Sequence, residues 1–72
     1  MRMRLDPARA IEIARVAAAG DPWAEELSLA VVETRAGAAI WIVSTPGVGR
    51  SLIVEVDDAT EQVLSVGRVG SR

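Results

Sequence analysis

The chain contains no cysteine and no histidine. Disulfide stapling is therefore excluded, and so are the Cys/His zinc sites that hold many small domains together. The same absence removes nucleophilic catalysis by a Ser-His or Cys-His pair. Lysine is missing too, all basic residues being arginine, so no Schiff base can form. The exclusive use of arginine reads as base-composition bias in the coding sequence rather than as chemistry specific to guanidinium groups. Phenylalanine and tyrosine are absent, which leaves Trp23 and Trp41 as the only aromatic side chains.

Long apolar runs are lacking as well. After Met1-Arg2-Met3-Arg4, the residues Asp6, Pro7, Arg9 and Glu12 interrupt any apolar stretch. Neither a signal peptide nor a membrane span is expected, and the chain as written is expected in the cytoplasm. Net charge is only −2, with acids and arginines interleaved. Nucleic-acid binding, which calls for a basic patch or stripe, is not expected. Arg2, Arg4, Arg68 and Arg72 would make a weak basic cluster if the two ends met; solvated ends are the plainer reading.

What is present is Ala, Val, Ile and Leu, and half of all residues are hydrophobic, which is the composition of a folded domain. Seventy-two residues make a single domain over 1–72 with a modest core. With disulfides and zinc excluded, a partner or a second copy is the remaining source of support.

The first element is a helix over residues 8–19, with Asp6 as N-cap, Pro7 at the first helical position and Gly20 as the stop before Asp21-Pro22. Its apolar face centres on Ala10, Ala14 and Ala17, flanked by Ile11 and Ile13, while Arg9, Glu12 and Arg15 mark the wet side. A face of alanines lets the helix axis come close to a flat sheet. The period then changes to two. Leu27, Leu29 and Val31 alternate with Ser28 and Ala30 in a first strand, and Ala38–Ser44 forms a second. Residues 51–56 form a third and 63–66, continuing towards 69, a fourth. Turns are expected at 34–37, 45–49 and 57–62. Such short connections force antiparallel neighbours, so the expected fold is α+β: one N-terminal helix packed on a four-stranded antiparallel meander.

The helix can cover only one sheet face, yet both faces look apolar. Ile40 and Ile42 point to one side, Trp41 and Val43 to the other; Leu52, Val54 and Val56 oppose Ile53, and the first strand adds Ala30 and Val32. We expect Trp41, Val43, Ile53 and Val32 to form an exposed patch on the second face that binds a partner. Trp23, just after the helix stop, is expected to cap one end of the core.

Candidate chemistry is sparse. Glu55, Asp57, Asp58 and Glu61 cluster at a hairpin tip, where a solvated turn with Asp57 or Asp58 bonded to its own backbone is expected rather than a general acid or base. Their spacing does not match a calcium loop. Thr45-Pro46-Gly47-Val48-Gly49-Arg50-Ser51 carries Gly-x-Gly, but a strand rather than a helix follows, so it is a hairpin loop and not a phosphate cradle. No catalytic residue, metal or cofactor is expected, and the chain is not expected to be an enzyme.

Two segments resemble a known family. The run Leu5-Asp6-Pro7-Ala8-Arg9-Ala10-Ile11-Glu12-Ile13-Ala14 is similar to the opening helix of PepSY domains. The run Val54-Glu55-Val56-Asp57-Asp58-Ala59-Thr60-Glu61-Gln62-Val63-Leu64 is similar to their closing hairpin, with Glu61 standing where that family usually has Gly. A Glu there must take strain on the order of 1 kcal/mol if the turn needs a positive φ. The resemblance implies a helix-on-sheet fold and a binding or peptidase-regulating role, with no catalytic residue carried over. The order of helix, strands, strand Trp and late Val-Asp turn also resembles small bacterial immunity proteins of the type 35 class, which would imply toxin neutralisation. The functional expectation is a non-catalytic protein- or peptide-binding module acting through its sheet, by docking an apolar face or by pairing an edge strand with an extended peptide. A second copy is the simplest partner, giving a homodimer through the sheet. Alternatives are an immunity protein and a homodimeric structural domain of a larger assembly.

Overall fold

The computed structural model describes residues 3–47 and 50–70. Helix α1 (Pro7–Ala17) and a short 3-10 turn (Ala24–Glu26) precede strands β1 (Leu29–Arg35), β2 (Ala38–Ser44), β3 (Arg50–Asp57) and β4 (Val63–Gly70). The strands form one antiparallel sheet in the order β1-β2-β3-β4, so the α+β meander expected from the sequence is the observed fold. Arg2 and Arg72 of the terminal cluster, and Val48 and Gly49 of the Gly-x-Gly loop, lie outside the described residues.

Helix α1 starts as its capping chemistry dictates. The Asp6 carboxylate accepts from the Arg9 N–H at 2.8 Å, and Pro7 opens the first turn. Its end is set by Ala18 and Ala19, whose N–H groups donate to the Ala14 and Val16 carbonyls respectively, and by Gly20 at φ +101°. Arg15 then ties the helix to the next segment by donating to the Leu27 carbonyl at 3.0 and 3.2 Å. Ala10, Ala14 and Ala18 are buried against the sheet, while Ala17 is exposed. The buried stripe thus follows the 10-14-18 row, and Ala18 replaces Ala17 at its end.

The core consists of these alanines with Leu5, Ala24, Leu27, Trp41, Val43, Leu52, Val54 and Val56. Leu27 is fully buried, whereas Leu29 and Val31 stay exposed; the alternation expected across 27–31 is broken because Leu27 precedes the strand.

The β1–β2 turn is two residues long, with Ala36 at φ 52° and Gly37 at φ 83°. Both central residues are left-handed, as a two-residue hairpin of this twist requires. Gly37 suits the position and Ala36 is strained there. Ala36→Asn should therefore raise stability by about 0.5–1 kcal/mol, read as a higher urea midpoint at unchanged slope.

Candidate functional site

The sheet register fixes which side chains share a face. Val32 pairs with Trp41, which pairs with Val56; Ala30 pairs with Val43, which pairs with Val54. All of these lie on the face that α1 covers. Trp41 is 6% exposed and Val43 fully buried, so neither belongs to the second face where the sequence reading put them. Val32 shares their face but lies on the edge strand β1, 46% exposed. Ile53 lies on the opposite face and is half-buried. The expected patch is therefore not one surface: two members are core, one is edge, and only Ile53 is on the open side.

A buried carboxylate explains the placement of Trp41. Asp58 is 4% exposed, not solvated as its hairpin position suggested. Its Oδ1 accepts from the Trp41 indole Nε1 at 2.9 Å and from the Leu5 N–H at 2.9 Å; Oδ2 accepts from the Arg4 N–H at 2.8 Å. Burial pushes the Asp58 carboxyl up, but the two backbone N–H groups and the indole N–H together outweigh it and hold the group below its ordinary value. Asp58 is thus a latch that binds the N-terminal segment, β2 and the β3–β4 turn to one another. Its role is structural: an acceptor with three donors has no proton to give or take near neutral pH.

The other carboxylates of that cluster are dispersed. Asp57 accepts from the Thr60 N–H and hydroxyl within the turn, as expected for a turn aspartate. Glu61 sits at φ 62°, and its carboxylate faces Arg4 and Arg9 at 3.8 and 3.6 Å. Glu55 points to the open face, where it takes a bidentate pair from Arg35 at 3.0 and 3.1 Å and a bond from the Ser65 hydroxyl. Arg35 holds the Glu55 carboxyl below its ordinary value, against the opposing effect of burial. Glu33 joins the same guanidinium. This ion network lies across Ile40, which is why Ile40 is 4% exposed although no helix covers it. Among the described residues, no group of three or more His, Cys, Asp and Glu side chains is placed to hold a metal ion.

Among the described residues, a concave apolar feature lies elsewhere, beside the edge strand β4. A groove of about 260 Å³ runs between α1 and β4, lined by Arg9, Glu12, Ile13, Val16, Ala17 and Val63. Val63 and Val66 pair with Val56 and Val54, so both stand on the helix side of β4. They remain 36% and 47% exposed, and Val16 is 72% exposed, because α1 leaves the outer strand uncovered. One end of the groove carries Arg9, Glu12 and Glu61. Towards the C-terminal end of β4, Arg68 is bidentate to Asp21 at 2.9 and 3.0 Å and stacks 4.4 Å from the centre of the Trp23 ring. That contact holds the Asp21 carboxyl below its ordinary value, helped by the Trp23 N–H. Trp23 is partly buried and packs against the core. A larger hollow of about 410 Å³ at the helix C-terminus shares Val16, but Arg15, Asp21 and Glu25 line it and no strand edge borders it.

Strand β4 is, with β1, an edge of the sheet and bulges at Leu64, the extra residue between the Val56–Val63 and Glu55–Ser65 pairs. Sequence reasoning missed this site. Its available signal was Val16, a β-branched apolar residue standing off the alanine stripe on the same flank as Glu12.

The chain has no match among family models, curated proteins or solved structures.

Proposed function

We propose that this protein is a non-catalytic binding module that takes an extended peptide segment along the free edge of β4. Incoming backbone N–H and C=O groups complete the open side of the strand, which supplies affinity without reading sequence. Alternate side chains of the segment drop between α1 and β4, onto Ile13, Val16, Ala17, Val63 and Val66, and these supply selectivity. The observation that carries the reading is an apolar groove lying alongside an edge strand whose valines are left exposed. The PepSY resemblance supports it in one particular: its two segments are α1 and the β3–β4 hairpin, the two walls of the groove, joined through Asp58. A role in regulating or inhibiting a peptidase is the version of the reading that this resemblance favours.

Selection from a displayed random-peptide library tests it. The expected result is enrichment of segments with apolar residues at alternate positions. Their binding should weaken by about tenfold or more in Val66→Lys, which puts a charge on the helix side of β4, a cost of about 1.4 kcal/mol. No enrichment, or enriched peptides that bind Val66→Lys as well as wild type, contradicts the reading.

A further inference from the structure

We infer, resting on the peptide reading above, that the bound segment has a fixed register. One of its residues pairs with Val66, and the residue two places on, towards Val63, is a large apolar one whose side chain fills the groove beside Ala17.

Hydrogen-bond parity along the sheet sets which β4 residues receive a strand. In an antiparallel sheet a residue turns its N–H and C=O to one neighbour, and the next residue turns both to the other. The Leu52 carbonyl accepts from the Thr45 N–H at 3.1 Å, and the Asp58 N–H donates to the Ala39 carbonyl at 3.0 Å, so even-numbered residues of β3 face β2. The Asp57 N–H donates to the Gln62 carbonyl at 2.8 Å, so odd-numbered residues face β4. Ile53 and Glu55 therefore engage their partners Gly67 and Ser65. Val66 and Arg68 turn their N–H and C=O groups the other way, to the side of β4 where no strand lies. An incoming strand is bonded at Val66 and Arg68 and not at Gly67.

Face follows from register. Val66 pairs with Val54 and Arg68 with Leu52, so both side chains stand on the helix side. A residue of the segment opposite Val66 shares that face, because directly opposed side chains point the same way. Val63 pairs with Val56, two places from Val54, since the bulge at Leu64 absorbs the extra residue. The segment's residue two places towards Val63 thus also faces the helix, beside the groove wall that Val63 forms. The residue between the two points to the open face.

The groove sets the chemistry of that residue. Its volume of about 260 Å³ falls below the roughly 300–1,000 Å³ of pockets that enclose a whole small molecule, so it suits a single side chain. Ile13, Val16, Ala17 and Val63 give it apolar walls, and its two charged residues, Arg9 and Glu12, are bonded to each other at 2.9 Å. Burial of a charge there finds no free partner of opposite sign, whereas burial of an apolar group is favourable. Ala17 has the smallest side chain of the lining and lies exposed at the end of α1, so a longer side chain at 17 takes up the space without entering the core.

Parallel selections from one displayed random-peptide library against wild type, Ala17→Leu and Val63→Phe test the register, each protein first checked for folding by circular dichroism. Wild type is expected to enrich segments with a large apolar residue at one position and an apolar residue two places away. Both variants fill the groove, one from the helix and one from the strand. The preference at the first position is expected to move to Gly or Ala in each, with the second unchanged, and peptides selected on wild type should bind the variants about tenfold or more weaker. Amide exchange of wild type with such a peptide is expected to slow at Val66 and Arg68 and to stay unchanged at Gly67. Peptides that bind both filled variants as well as wild type overturn the inference, as does protection at other β4 amides without Val66 and Arg68. Neither result touches the peptide reading, which Val66→Lys judges. No enrichment on wild type sinks that reading and this inference with it.

Discussion

Asp58→Asn is expected to destabilise the protein by about 2–4 kcal/mol. A carboxylate is acceptor-only, and all three of its close partners here are donors: the Arg4 and Leu5 N–H groups and the Trp41 indole. An asparagine has one oxygen, so its NH2 must face a backbone N–H, and a buried donor is left without an acceptor. Net stability for 72 residues is roughly 4–11 kcal/mol, so the loss is a large share of the total. Trp41→Phe removes one of the three donors and should cost less, about 1.5–3 kcal/mol. Urea unfolding of the three proteins checks the ranking.

The same latch fixes the acid side of the stability profile. Asp58, Asp21 and Glu55 all hold their protons less tightly in the folded protein than at their ordinary values of 3.8, 3.8 and 4.5. The unfolded chain therefore takes up protons first as pH falls. Stability from these groups is complete above about pH 5 and is lost progressively below about pH 4, as pH drops through the folded values. Any variant at Asp58 stable enough to be measured should show a shallower acid dependence than wild type.

Ala14→Leu is the second large effect, expected to cost at least about 2 kcal/mol. Ala14 is fully buried in the core cluster that also contains Trp41, Val43, Leu52 and Val54. A leucine at that point would have to lift α1 off the sheet and would disturb the groove wall formed by Ile13 and Ala17. Val16→Leu, two residues on, should fall within about 0.5 kcal/mol, because Val16 is 72% exposed. Equal effects at the two positions would mean that the helix is rotated relative to the packing described above.

The fold was legible because its punctuation is local. Asp6-Pro7, Gly20, Ala36-Gly37 and the 57–62 turn each act through their own backbone chemistry, and the apolar period changes where the helix ends. The assignment of faces was not legible. β2 is apolar on both sides, so Ile40 and Ile42 compete evenly with Trp41 and Val43 for the helix. Two long-range contacts decide it: Asp58 captures the Trp41 indole, and the Arg35 network with Glu33 and Glu55 roofs Ile40 on the open face. Neither pairing has a sequence signature, since the partners are separated by 17 and 20 residues. The groove was hidden for a similar reason. Its lining comes from one flank of α1 and from β4, and only the register shows that Val63 and Val66 face the helix.

The central claim is that binding occurs at the β4 edge and the α1–β4 groove. Amide NMR shifts of the labelled protein, titrated with a peptide enriched by selection, test it most directly. Perturbations are expected along 63–68 and at Ile13, Val16 and Ala17, with new exchange protection of outward β4 amides. Perturbations confined to Leu29, Val31, Ile42 and Ile53 would contradict it and move the binding surface to the open face of the sheet.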